Sequence, residues 1–224
     1  MRFSFSHPSC ILISLLCTTY THIYAQNNTL KRCSEILQKT RQVITESKSP
    51  NLQSLFPYLD PTYKKFEQMN NEWAECVRGQ KAPLSSFQDL NGKVYDIASL
   101  SGKVVVINFW FMSCAPCRAE MPALNRLVNE YKEKEVIFLG ISPDKTEQIK
   151  PAFFKQNRFD FTIVPNAHTA ANSFYITGYP TTYILNQQGI IQKAWIGFIA
   201  DGIDQLAPYH KSKAVIDQLL IYKR

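Results

Sequence analysis

Two stretches of the chain carry neither charge nor alternation: VVVINFW at 104–110 and VIFLGIS at 136–142. Continuous apolar runs of that length mark strands covered on both faces. Between them Met121, Leu124, Leu127, Val128 and Tyr131 recur at helical spacing, so residues 116–131 are predicted to form a helix. FTIVP (161–165) reads as a short strand, and Thr181–Leu185 with Ile190–Ile196 as an antiparallel pair across 186–189. Helices are expected over Thr146–Asn157, for one turn or two within 168–176, and over Lys211–Tyr222. Upstream, Leu84–Leu90 and Lys93–Ile97 flank Asn91-Gly92, two residues that tolerate positive φ and predict a two-residue hairpin turn. Strand–helix–strand units finishing in a hairpin and a helix make an α/β sheet with a mixed edge.

Residues 26–79 follow another pattern, helical and without a clear strand. Leu30, Cys33, Ile36, Leu37, Val43 and Ile44 keep a three-to-four spacing over 29–47, and Pro50, Pro57 and Pro61 then break it. A second helix is predicted over Thr62–Val77, carrying Tyr63, Phe66, Met69, Trp73 and Cys76. Cys33 and Cys76 are nearly equidistant from the connection. An antiparallel helical hairpin therefore sets them side by side and predicts a structural Cys33–Cys76 disulfide.

The first 25 residues differ again. Arg2, the apolar run CILISLLC (10–17) and Ile23-Tyr24-Ala25 fit the charged, apolar and cleavage regions of a signal peptide. The run is shorter than the roughly 20 residues that span a bilayer. Leu16 is not the small residue expected before a lipoprotein cysteine. The expected organisation is a signal peptide at 1–25, a helical region at 26–79 and an α/β domain at 80–224.

Composition adds limits. An apolar share of 45 % supports a proper core, and the few glycines and absent repeats argue against disordered or solenoid classes. The formal charge of +7 comes from scattered lysines and arginines, so a solvated surface is expected and no nucleic-acid partner. Asn27-Asn28-Thr29 fits a glycosylation acceptor, which matters only in a eukaryotic secretory host. Export removes Cys10 and Cys17 and leaves Cys33, Cys76, Cys114 and Cys117, an even number that suits two pairs in an oxidising compartment.

Cys114 and Cys117 admit four uses: a redox dithiol, half of a metal site, a structural disulfide, or two core cysteines. Cys114 falls where the buried strand ends and a helix begins, a place that favours a thiolate. Pro116 suits the first helical turn, and the spacing of three lets the sulfurs meet. In a redox reading Cys114, nearer solvent, attacks and the less exposed Cys117 resolves the mixed disulfide. Glu120, on roughly the same face, is either the acceptor of the Cys117 proton or a solvated first-turn glutamate. Pro180, directly before a strand, stands where its missing donor is awkward; a cis Tyr179–Pro180 bond would leave backbone groups free for an extended substrate. A zinc site wants four ligands, and with the leader removed only His168 and His210 join the cysteines, so no metal is assigned and a metal-binding or metallochaperone module using the same pair is the alternative reading. A peroxidase would need a cysteine in a Pro- and Thr-rich loop, which is absent here.

From about Ala82 onward the chain resembles the thioredoxin fold, specifically the exported ResA/TlpA-like thiol-disulfide oxidoreductases. NFW (108–110), CAPCRAEMP (114–122), VIFLGIS (136–142) and GYPTTYILNQQG (178–189) carry the resemblance in the right order. It implies a thioredoxin-like central mixed sheet flanked by helices, with residues 26–79 as a helical appendage outside the shared fold. It also implies a cis Pro180 beside the dithiol, a functional Glu120, and a groove formed by Pro116, Tyr179, Pro180 and Thr181. The expected protein is exported, in the periplasm or membrane-associated, and a monomer without cofactor. It is expected to reduce disulfides of exported proteins, apocytochrome c among them, with electrons from a membrane thiol carrier. Ser113 departs from the family's usual Trp. Asn108 replaces thioredoxin's buried Asp, and Ala115-Pro116 replaces its Gly-Pro.

Overall fold

A computed structural model describes residues 28–39, 61–197 and 204–221. The predicted leader, the far end of the first helix and the Pro50–Pro57 connection lie outside the described residues. Helix α1 covers residues 28–39 and α2 Pro61–Val77. A small hairpin, β1 (Phe87–Gln88) and β2 (Val94–Tyr95), precedes the short α3 (Ile97–Leu100). Then come β3 (Val104–Phe109), α4 (Ala115–Tyr131), β4 (Val136–Ile141), α5 (Pro151–Gln156), β5 (Thr162–Val164) and α6 (His168–Ser173). The chain closes with β6 (Thr181–Leu185), β7 (Ile191–Ile196) and α7 (Ala207–Ile221).

The strands form one five-stranded mixed sheet in the order β5-β4-β3-β6-β7. β3–β4 and β4–β5 run parallel, whereas β3–β6 and β6–β7 run antiparallel. Every β3 residue is buried, which explains why its sequence does not alternate. Val105, Ile107 and Phe109 join Leu139 and Tyr183 on one face, under Leu30, Met69, Trp73 and Phe174 of the helical layer. Val104, Val106 and Trp110 join Ile184 and Trp195 on the other, under Met121, Leu124 and Leu127 of α4 and Ile216 of α7. Each such side chain contributes about 1.5–3 kcal/mol by leaving water.

Three expectations need correction. The predicted two-residue turn at Asn91-Gly92 is instead a three-residue loop over 90–92. The Asp89 N–H donates to Lys93 O at 2.9 Å, and Asp89 Oδ1 accepts the N–H groups of Asn91 at 2.8 Å and Lys93 at 2.9 Å. Only Gly92 takes positive φ, at 82°, as the residue closing such a loop requires. α5 begins at Pro151, not Thr146. A helix from 146 would bury this proline in its interior, where the ring clashes with the preceding turn, while at the start it fits. α7 begins at Ala207, before the expected Lys211, with Pro208 again in the opening turn.

Candidate active site

Where β3 ends, the chain turns through 110–113 and enters α4. Cys114 is the N-cap residue, with extended backbone at φ −74° and ψ 101°, and Pro116 occupies the first turn. Cys114 and Cys117 are joined in a disulfide with their Cα atoms 5.3 Å apart. The Cys117 N–H also points at Cys114 Sγ, 3.2 Å away. Cys114 is not the solvent-facing residue that its position at the helix end suggests. It is 4 % exposed and Cys117 2 %, because Phe111, Met112 and Tyr179 pack against the buried cluster that holds both. Ser113 and Ala115, on either side of Cys114, are exposed.

The Tyr179–Pro180 peptide is cis. Pro180 is buried, and the Thr181 hydroxyl closes the turn by donating to Gly178 O at 2.7 Å. The Tyr179 ring stands edge-on to Phe111, with centroids 5.1 Å apart, so the residues before the cysteines touch the residue before the proline. Burial pushes the Tyr179 phenol up from its ordinary pKa, and the negative charge of Asp144 adds to the shift. Glu120 is half-buried on α4, with its carboxyl group against Gly197 at the end of β7. A Cβ at position 197 would lie 2.0 Å from Glu120 Oε1 and 2.8 Å from Pro180 Cγ. Glycine therefore makes the room that brings Glu120 and Pro180 together.

Sequence reasoning missed three supporting residues. Asp144 Oδ2, just beyond β4, accepts the Met112 N–H at 2.6 Å and the Ser142 hydroxyl at 3.0 Å. Arg118 donates to Met112 O at 2.8 Å, so both sides of this residue in the loop before Cys114 are held. Gly197 is the third. The available signal for Asp144 was its place after the carboxyl end of a parallel strand, where α/β sheets gather functional groups. Asn108, beneath α4, is buried and donates to Thr182 Oγ1 at 3.0 Å, a neutral pair where thioredoxin carries a buried acid.

Cys33 and Cys76 are joined in a second disulfide, with Cα atoms 5.6 Å apart, on the opposite face of the sheet from Cys114 and Cys117. Among the described residues no group of three or more His, Cys, Asp or Glu side chains is placed to hold a metal. No described helix is long and apolar enough to cross a membrane.

Comparison with known proteins agrees with this geometry. The chain is 36 % identical over 121 residues to the thioredoxin-like protein YneN of Bacillus subtilis, covering 53 % of this chain and 71 % of that one. It is 35 % identical over 120 residues to the thiol-disulfide oxidoreductase ResA of Bacillus cereus, covering 53 % and 69 %. Among solved structures, a Chlorobium tepidum protein described as a thiol:disulfide interchange protein DsbE superposes with a TM-score of 0.54 at 26 % identity. That match covers 62 % of this chain and 97 % of the other. A Neisseria meningitidis protein described as a thioredoxin matches with a TM-score of 0.53 and 32 % identity, covering 63 % and 90 %. The AhpC/TSA family profile matches residues 78–194, more than half of the sequence and the whole stretch from the end of α2 into β7. The chain thus belongs to the AhpC/TSA family, within the thioredoxin-fold thiol-disulfide oxidoreductases.

Proposed function

We propose that the protein reduces disulfides of exported proteins through Cys114 and Cys117. The observation that carries this reading is the disulfide at the start of α4, in a cluster against which Tyr179 of the cis peptide packs. Once the pair is reduced, the helix N-terminus and the Cys117 N–H favour negative charge on Cys114. The Cys114 thiolate attacks one sulfur of the substrate disulfide; that S–S bond breaks and one substrate thiolate leaves. Cys117 loses its proton, with Glu120 as acceptor, and attacks Cys114 Sγ; the mixed disulfide breaks and the second substrate thiolate leaves. Two electrons pass to the substrate, the two thiolates take up protons, and the Cys114–Cys117 disulfide remains. A membrane thiol carrier returns it to the dithiol by the same exchange.

Pro116, Tyr179, Pro180 and Thr181 form the groove in which an extended substrate lies, with apocytochrome c one substrate class. The protein acts as a periplasmic monomer, and the chemistry calls for no cofactor beyond the two thiols. The test is dithiothreitol-driven insulin reduction. Cys114→Ser is expected to abolish it, and Cys117→Ser to accumulate a mixed disulfide that survives non-reducing electrophoresis. Measured with Cys33 and Cys76 replaced, the potential should lie near the reducing end of the range from about −270 to −120 mV. A value near the oxidising end would make the protein a disulfide donor instead.

A further inference from the structure

β7 is the outer strand of the sheet, so its far edge presents N–H and C=O groups that no strand covers. The appendage covers them in two places. Beyond α2, the Gly79 N–H donates to Ile191 O at 2.8 Å and the Ile191 N–H to Gln80 O at 2.9 Å. At the other end a single side chain takes the place of a strand. Asn70 Nδ2 donates to Ile196 O at 3.1 Å, while Asn70 Oδ1 accepts the Ile196 N–H at 3.2 Å. Only an amide side chain offers a donor and an acceptor side by side in that way.

The residue after Ile196 is Gly197. Its N–H donates to Pro180 O at 2.9 Å, and its Cα is the surface against which the Glu120 carboxyl and the Pro180 ring rest. α2 itself is anchored. Met69, Trp73 and Val77 are buried, the Trp73 ring stands edge-on to Tyr183 of β6 at 5.7 Å, and Cys76 is tied to Cys33. We propose that Asn70 is a positioning residue of the redox site: by clamping Ile196 it sets Gly197, and Gly197 sets Glu120 and the cis-Pro180 turn. The helical appendage is then part of the machinery and not an ornament beside it. The inference rests on the reductase reading of Cys114 and Cys117.

The experiment compares wild type, Asn70→Ala and Asn71→Ala in dithiothreitol-driven insulin reduction from pH 6 to 9, with a urea midpoint for each. Asn71 is the exposed neighbour on α2 and serves as the control. Asn70→Ala is expected to lower kcat/KM about tenfold, the scale on which sub-ångström misplacement acts. The pH of half-maximal rate should move upward, because Cys117 loses its seated proton acceptor. Asn71→Ala should keep the wild-type rate and profile. A lowered urea midpoint with an unchanged rate and profile would make Asn70 a mere anchor and overturn the proposal. If Asn70→Ala does not fold, Gly197→Ala attacks the same link from the other end. The same upward displacement supports the proposal, and a wild-type profile overturns it. An inactive wild type would sink the reductase reading itself. The Cys114–Cys117 redox midpoint then decides the positioning claim, since equal midpoints in wild type and Asn70→Ala refute it and a displaced one upholds it.

Discussion

Asp144 steadies the loop before Cys114 with a single oxygen shared between the Met112 N–H and the Ser142 hydroxyl. Both donors are part-buried, so removing the acceptor leaves groups that water reaches poorly. Asp144→Ala should therefore destabilise the protein by about 1–3 kcal/mol, read as a lower urea midpoint. Insulin reduction should slow as the loop loosens. Asp144→Asn keeps an oxygen acceptor and should recover most of both losses; equal damage from the two substitutions would contradict the shared-acceptor role. The sequence marked this residue only by its place after the carboxyl end of a strand and gave no sign of its partners. Cys114, Cys117 and Pro180 announce themselves because each is chemically unusual where it stands: two thiols one helical turn apart, and a proline against a strand. The value of Asp144 lies in a backbone N–H 32 positions away, and that of Asn70 in the N–H and C=O of a residue 126 positions away. Every residue presents such backbone groups, so no side-chain pattern points to them.

Between elements, the seam of α4 and α7 combines an apolar contact with a charge network. Lys213 pairs with Glu130 and, at 3.0 Å, with Asp217. The Tyr131 hydroxyl donates to Asp217 at 2.6 Å, and the Tyr209 hydroxyl to Glu130 at 2.6 Å. The Lys213 bond and the Tyr209 hydroxyl hold the Glu130 carboxyl below its ordinary pKa. Burial pushes Asp217 up, but the Tyr131 hydroxyl and Lys213 outweigh it and the net shift is downward. Carboxyls depressed in the folded state contribute stability that is present above their unfolded values, about 3.9–4.3, and is lost as pH falls through the folded values. The urea midpoint should therefore drop as pH falls below about 4, and Lys213→Met should flatten that drop. Equal acid sensitivity in the variant would exclude the seam as its source. At this scale most elements were legible, since buried strands show as continuous apolar runs and amphipathic helices write their period into the sequence. The starts of α5 and α7 went astray. Pro151 and Pro208 mark the true beginnings, but an apolar stripe read by period alone runs through or past them.

Across the whole molecule, two disulfides lie on opposite faces of one sheet. Their sequence separations divide their effects. Cys114–Cys117 closes a loop too short to constrain an unfolded chain much, so its formation and cleavage change chemistry more than stability. Cys33–Cys76 spans 43 positions, and closing a loop of that length removes about 4 kcal/mol of chain freedom from the unfolded state. Replacing both Cys33 and Cys76 by Ala should lower the unfolding free energy by roughly that amount. In the folded state, burial of Met69, Trp73 and Val77 still holds α2 on the sheet, and Asn70 still reaches Ile196. Insulin reduction by the double variant, assayed well below its urea midpoint, should accordingly match wild type. A large loss of activity in a protein shown to be folded would mean that the disulfide itself, and not the docked helix, transmits order to Gly197. Unchanged stability would mean that α1 and α2 are already paired in the unfolded chain. Weaker folding with intact turnover is the expected combination, because one disulfide works on the unfolded ensemble and the other is the proposed redox pair.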